Sequence, residues 1–278
     1  MHEREYYAVR KGHIGRDQVL SFENFKKAFV LYYKDLESQG YFQKYFGKNC
    51  VDGYYAGKLG DDLATAIFLK TGSENIWPIW EKIDFYTEVE FYTMIELLYD
   101  TCSEPTDTYN HSYFDCGIHV KASDDNTGKR KFREVINPLL KKYKNLELSE
   151  HGEILESIEE GFENLFDAPI PSSDEDNITS RVKSAILKFR RASATIDDRR
   201  DSLKNLADVL EFLKPQIKNL QMNKDSNELF EIANTFGIRH HNHRQKTDYD
   251  KGIWHSWIFY CYLSTIHLCL RLLKKEKT

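Results

Sequence analysis

Thr195-Ile196-Asp197-Asp198, followed by Leu203, Leu206, Leu210, Leu213, Ile217 and Leu220, is the stretch that decides the fold. The apolar positions recur in alternating steps of three and four, which places them on one face of an α-helix. Thr195 and Asp198 have the spacing of a capping box, in which each side chain takes up the other's orphan backbone N–H. Pro215 falls inside the pattern, and because the pattern continues past it a bend is expected there, with no break. Upstream, Ile178, Val182, Ala185 and Phe189 make a second stripe of the same period. Downstream, a shorter helix is expected over 225–236, stopped by Gly237. A second box, Thr247 to Asp250, is expected to open a last helix running to about Lys274. Four helices with short connections predict an up-down bundle over residues 178–278.

Working outward, Ala168-Pro169-Ile170-Pro171-Ser172-Ser173-Asp174-Glu175-Asp176 is stiff and polar, so 168–177 is expected to be a linker. Residues 1–167 before it read as a mostly helical α+β domain, making the whole chain mainly α. Helices are expected over Phe22–Glu37, Asp61–Lys70, Glu88–Tyr99 and Lys129–Tyr143, the third with Val89, Tyr92, Ile95 and Leu98 on one face. Tyr6-Tyr7-Ala8-Val9 reads as a short strand. Leu146 to Leu148 and Ile154-Leu155, joined across His151-Gly152, read as a small hairpin. Pro78 prevents a continuous helix through Asn75–Trp80. Gly57-Lys58-Leu59-Gly60-Asp61-Asp62 falls short of a phosphate-binding loop and reads as a helix start.

Composition narrows the class. The chain has 278 residues, 41% of them hydrophobic and 30% charged with mixed sign, which is a globular balance. The charged start MHEREYYAVRKG lacks the apolar run of an export signal, so a cytoplasmic location with five reduced cysteines is expected. The most apolar stretch, Trp257 to Leu270, is shorter than the ~18 residues a membrane span needs, so no membrane partner is expected. Trp257–Leu263 is apolar nearly all round, which calls for a covering surface in the chain or in a dimer. The net charge of −5 divides unevenly: from Ala168 onward there are 19 Lys/Arg against 14 Asp/Glu. A basic rear half suits contact with phosphates, and packing on an acidic domain accounts for it equally.

The residues best suited to chemistry lie in Gly237-Ile238-Arg239-His240-His241-Asn242-His243-Arg244, between the third and fourth expected helices. Histidine exchanges protons near neutral pH, and arginine binds phosphate with two hydrogen bonds. Together they can cleave RNA without metal. A histidine takes the 2′-hydroxyl proton, the same or another protonates the leaving oxygen, and arginine stabilises the phosphate charge. A solvated polar loop at a helix C-terminus explains the same residues. Lys188-Phe189-Arg190-Arg191 with Arg199-Arg200 forms a basic turn that either follows an RNA backbone or is simply solvated. His267 reads as a hydrogen-bonded core histidine. Cys102, His111, Cys116 and His119 offer zinc-type ligands, but their spacing matches no standard knuckle, so neither metal nor cofactor is expected.

Asp197 to Leu220 and the run from Phe236 to Asn242, continued through Gln245 to Asp250, resemble the HEPN superfamily, and more closely bacterial abortive-infection-type defence proteins. The resemblance covers about the last 100 residues. It implies an antiviral, toxin-like, metal-independent endoribonuclease that works as a homodimer, with two Arg/His motifs meeting in one cleft. Arg239 is then the phosphate-binding arginine, and the catalytic histidine is His240, His241 or His243. Asn242, Arg244, Lys246, Arg190 and Arg191 would bind RNA, and a regulatory or antitoxin protein is an expected partner. The superfamily motif has four to six residues between Arg and His, whereas Arg239 and His243 are separated by three. That departure points to the alternative, a non-catalytic HEPN-like module for dimerisation or for binding RNA or protein.

Overall fold

The computed structural model describes residues 6–13, 19–158, 161–217 and 248–276. These are mainly helical, with three small two-stranded antiparallel sheets, and they form two compact units, Met1–Ser157 and Ile158–Thr278.

The first unit is built on three amphipathic helices, α2 (Phe22–Ser38), α6 (Glu88–Thr101) and α7 (Asp125–Lys144). Each begins at a side-chain cap: Ser21 accepts from Asn24 N, Thr87 and Glu90 form a capping box, and Asp124 accepts from Thr127 N. Their shared core is aromatic. Phe91 of α6 meets the edges of Phe25 and Phe29 of α2 at 4.9 and 5.0 Å between ring centres, and Phe25 packs on Tyr143 of α7. The buried face of α6 is therefore Phe91, Met94, Ile95 and Leu98, and Val89 is exposed. Two apolar stripes overlap in this helix, and the sequence reading chose the wrong start. Tyr7–Arg10 forms one helical turn, α1, where a strand was expected; four residues without a pairing partner make no ladder.

The expected hairpin is present as β5 (Leu146–Leu148) with β6 (Ile154–Glu156). It is held to α7 by Asn137, which accepts from Leu148 N at 2.7 Å and donates to Leu148 O. Two further hairpins have no counterpart in the sequence reading: β1 (Lys48–Cys50) with β2 (Gly53–Tyr55), and β3 (Glu104–His111) with β4 (Gly117–Asp124). Against β4 lies α3 (Gln43–Phe46), whose Gln43 accepts from Val120 N and donates to Ile118 O. After the Gly57–Gly60 turn, α4 (Leu63–Thr71) begins at Asp62, which caps Thr65 N, as a helix-start reading requires. The short α5 (Ile79–Lys82) follows Pro78.

The second unit contains α8 (Glu163–Phe166), α9 (Ser180–Arg190), α10 (Ile196–Ile217) and α11 (Lys251–Glu276). Both stripes read from the sequence are buried: Ile178, Val182, Ala185 and Phe189 meet Leu203, Leu206, Leu210 and Leu213. Ile258, Phe259, Tyr262, Leu263, Ile266 and Leu270 of α11 complete the core. Leu220 and the helix expected over 225–236 lie outside the described residues. The capping box at Thr195 and Asp198 is present in full, and α10 runs through Pro215. At α11 the cap is Asp250 itself, which accepts from Ile253 N at 3.0 Å, so the helix starts one turn later than a Thr247 box would place it. The unit boundary at Ser157/Ile158 precedes the 168–177 stretch, because Phe162 and Phe166 stack on Tyr260 and Phe259 of α11.

By length and composition alone, Lys251–Lys275 is also long and apolar enough to cross a membrane, beyond the shorter apolar stretch read from the sequence. One face is packed in the helical core, as in the core helix of a bundle, while Ile253, Trp254, Trp257 and Leu268 are exposed.

Candidate functional site

Arg239, His240, His241, Asn242, His243, Arg244 and Lys246 lie outside the described residues. What is described is the end of the second unit from which α11 starts. His255 feels the charges of Arg199 and Arg200 and Tyr249 that of Arg200, and Phe259 stacks on Phe189 at 4.1 Å. The starts of α10 and α11 and the end of α9 therefore share one end of the unit. Arg190, Arg191, Arg199, Arg200 and Lys251 gather there, together with Lys188. Their charges are partly answered: Lys188 pairs with Asp201 at 3.1 Å and Arg200 with Asp197 at 3.6 Å. Arg190 lies over the Phe166 ring and Arg199 over Phe189. Along α9, Ser180, Lys183, Ser184, Leu187, Lys188 and Arg191 line a shallow open groove.

His255 is enclosed, with Nε2 3.4 Å from the Tyr249 hydroxyl and Nδ1 unpartnered among the described residues. Burial pushes its pKa below the ordinary histidine value, and Lys251, Arg199 and Arg200 push the same way. His267 is also enclosed, as the core histidine expected from the sequence should be, and among the described residues its Nδ1 has no hydrogen-bond partner.

In the first unit the structure regroups the cysteine and histidine residues. Cys102 does not belong with His111, Cys116 and His119. It caps the end of α6, is fully buried, and donates to Gly128 O; burial pushes its thiol pKa up to about 12. The fourth member is Cys50, at the end of β1. The candidate ligand atoms of Cys50, His111, Cys116 and His119 all lie within 4.8 Å of one another.

Local structure explains how they meet. In the β3–β4 ladder Tyr109 pairs with His119 and His111 with Gly117. Directly paired residues share a face, and so do residues two apart on a strand, so His111, Tyr109 and His119 face the same way. The connection is tightly wound, with left-handed φ at Phe114 (48°) and Gly117 (83°), and it turns Cys116 back towards His119. The β1–β2 hairpin approaches this face with Cys50 against His111 and with Tyr55 edge-on to His119. Cys50 Sγ is 3.4 Å from His111 Nδ1, and Cys116 Sγ is 3.1 Å from His119 Nε2. On its far side His111 Nε2 faces Asp52 Oδ2 at 3.8 Å. Burial, then the neighbouring Cys50, raises the Cys116 pKa; burial, then Lys48 and His111, lowers that of His119.

Cys50 escaped the sequence reading because it lies 61 positions from His111, on a hairpin with no apolar alternation. Its one local signal is the turn Cys50-Val51-Asp52-Gly53, where Asp-Gly marks a tight reversal that leaves the cysteine at a strand end. Comparison of the chain with protein-family models, curated proteins and solved structures gives no match.

Proposed function

We propose that the chain is a metal-independent endoribonuclease of a bacterial antiviral, abortive-infection-type system, acting through the Arg/His run ahead of α11 in a HEPN-like bundle. The observation that carries this reading is the shared end of α9, α10 and α11. The run leads into α11 at the end where Arg190, Arg191, Arg199, Arg200 and Lys251 gather. An RNA bound at that end would meet several cations, which contribute mainly by neutralising phosphates.

In this mechanism Arg239 binds the scissile phosphate. One of His240, His241 and His243 removes the 2′-hydroxyl proton, and the same or another protonates the 5′-oxygen as it leaves, giving a 2′,3′-cyclic phosphate. Asn242, Arg244 and Lys246 hold the flanking nucleotides. The exposed Ile253, Trp254 and Trp257 near the start of α11, with Leu268 further along, support a homodimer, since exposed apolar side chains on a helix gain from a cover. The protein acts in the cytoplasm under a regulatory or antitoxin partner.

The second reading is a non-catalytic module of the same type that binds RNA or protein, favoured by the three-residue gap between Arg239 and His243. Incubation with total and transfer RNA without Mg2+, and again in excess EDTA, separates the two. The nuclease reading expects discrete products bearing cyclic phosphate, lost in Arg239→Ala and in a triple-alanine variant at His240, His241 and His243. Absence of products in both incubations, or products that persist in both variants, refutes it and leaves the binding module.

A further inference from the structure

We infer that Cys50, His111, Cys116 and His119 form a structural zinc site that pins the β1–β2 hairpin onto the β3–β4 hairpin. A tetrahedron with Zn–S bonds of about 2.3 Å and Zn–N bonds of about 2.0–2.1 Å has edges of about 3.3–3.8 Å. The two measured sulfur–nitrogen separations, 3.4 and 3.1 Å, are close to such edges, and no pair exceeds 4.8 Å. The tetrahedron thus closes with shifts of about an ångström or less, within the reach of side-chain rotation.

The donor set selects the ion. Two thiolates and two imidazoles suit Zn2+, whereas Mg2+ and Ca2+ prefer oxygen. Binding releases two thiol protons to solvent, and the two thiolates neutralise the charge of the ion. The geometry also assigns the ring nitrogens. His111 binds through Nδ1, which faces Cys50, and His119 through Nε2, which faces Cys116. His111 Nε2–H then faces the Asp52 carboxylate at 3.8 Å, which a small side-chain shift would bring into the carboxylate support that metal-bound histidines usually have. All four positions are filled by the protein, which makes the site structural; a catalytic zinc keeps one open for water.

The hairpins need such a tie. A two-stranded hairpin is marginal by itself, and here the residues around the cluster are exposed: Val51, Tyr54, Tyr55, Tyr109, Tyr113 and Phe114. With so little apolar burial, the metal supplies what a core supplies elsewhere. It also closes a chain segment of 61 positions between Cys50 and His111, restricting the unfolded state as a crosslink does.

The test uses the full chain, purified under reducing conditions without chelator. Metal content is measured by mass spectrometry, and alkylation of each cysteine is followed before and after zinc is stripped. About one zinc per chain is expected. Cys50 and Cys116 should be protected until stripping, and the partly buried Cys261 should react at the same rate before and after it. Cys50→Ser and Cys116→Ser should retain at least about tenfold less zinc, while Cys102→Ala should retain it in full. If the serine variants do not fold, the alkylation pattern of the unaltered chain still decides. The proposal is overturned if Zn2+ fails to load on reconstitution, if Cys50 and Cys116 alkylate equally with and without it, or if they are joined by a disulfide.

Discussion

Replacing Gly128 with alanine should loosen the joint between α7 and the start of β3. The residue lies in the first turn of α7, where the helix backbone comes directly against Ser103 and Glu104. A Cβ at this position would lie 2.6 Å from both Glu104 N and Ser103 Cα, and 2.8 Å from Ser103 C. All three are backbone atoms, so no rotamer change relieves the clash. Relief requires separating the two segments by about 0.8 Å to restore ordinary contact distances of 3.5 Å or so. Two contacts would stretch as they part, the hydrogen bond from Cys102 Sγ to Gly128 O and the ion pair of Lys131 with Glu104.

Two effects of opposite sign compete. Alanine is the better helix former, by about 1 kcal/mol at an interior position and less in a first turn. Overpacking costs about 1–3 kcal/mol when side chains can adjust, and this clash falls at the upper end because backbone must move. A net loss of about 1–2 kcal/mol follows, or about 2–8 °C in the melting of this unit. Differential scanning calorimetry suits the measurement, since two units need not melt as one. Gly252→Ala is the internal comparison. Its new Cβ meets only the end of the Asp250 side chain, at 3.3 Å, so the change should stay within about 1 kcal/mol. A Gly128→Ala protein as stable as its parent would refute the close approach of α7 to β3.

Thr195→Ala should destabilise the second unit by about 1 kcal/mol, read as a lower melting midpoint, because it removes half of the α10 capping box. Hydrogen bonds from Thr195 hold the Asp198 pKa below its ordinary 3.8, so the cap's contribution is present above that value and lost as pH falls through the lowered folded one. For His255 the folded pKa lies below 6.5, so the unfolded chain takes up this proton first. Melting of the second unit should therefore drop as pH falls from 6.5 towards the lowered value, and His255→Leu should flatten the profile in part, with His267 contributing the rest in the same sense. Asp52→Asn should weaken zinc retention about 10–100-fold in a competition assay while leaving all four ligands in place; undiminished retention would show that His111 needs no carboxylate support.

The second unit was legible because its helices bury one side against neighbours of the same kind. Leu203, Leu206, Leu210 and Leu213 carry a period that only a helix can present to a core, and all four are buried. In α6 the same rule left two answers. Val89 and Tyr92 fit a stripe as well as Phe91 and Met94 do, and only the position of Phe25 and Phe29 on α2 decides between them. The hairpins were illegible for a different reason. Glu104–His111 contains no Val, Ile or Leu, so β3 has no alternation to read; the face it turns to the β1–β2 hairpin carries the aromatic Tyr109 and the metal-ligating His111. Cys102 was grouped with the histidines because it is near them in sequence. The chain turns it into the core and brings Cys50 round in its place, a result of tertiary structure that spacing does not encode.

The zinc site bears on how the nuclease test must be read. A chelator strong enough to exclude Mg2+ also competes for a Cys2His2 zinc, whose binding free energy is coupled to folding. Loss of cleavage in EDTA would then have two causes, a metal needed for chemistry or a hairpin pair released in the first unit. They separate by substitution. If chemistry needs no metal, Cys50→Ser should cleave RNA identically with and without EDTA, because the chelator has no bound zinc left to remove. A requirement for Mg2+ would instead persist in Cys50→Ser and be restored by adding Mg2+ alone. A parent protein that loses cleavage in EDTA and recovers it with zinc but not with Mg2+ would mean that the hairpin pair of the first unit governs the chemistry of the second.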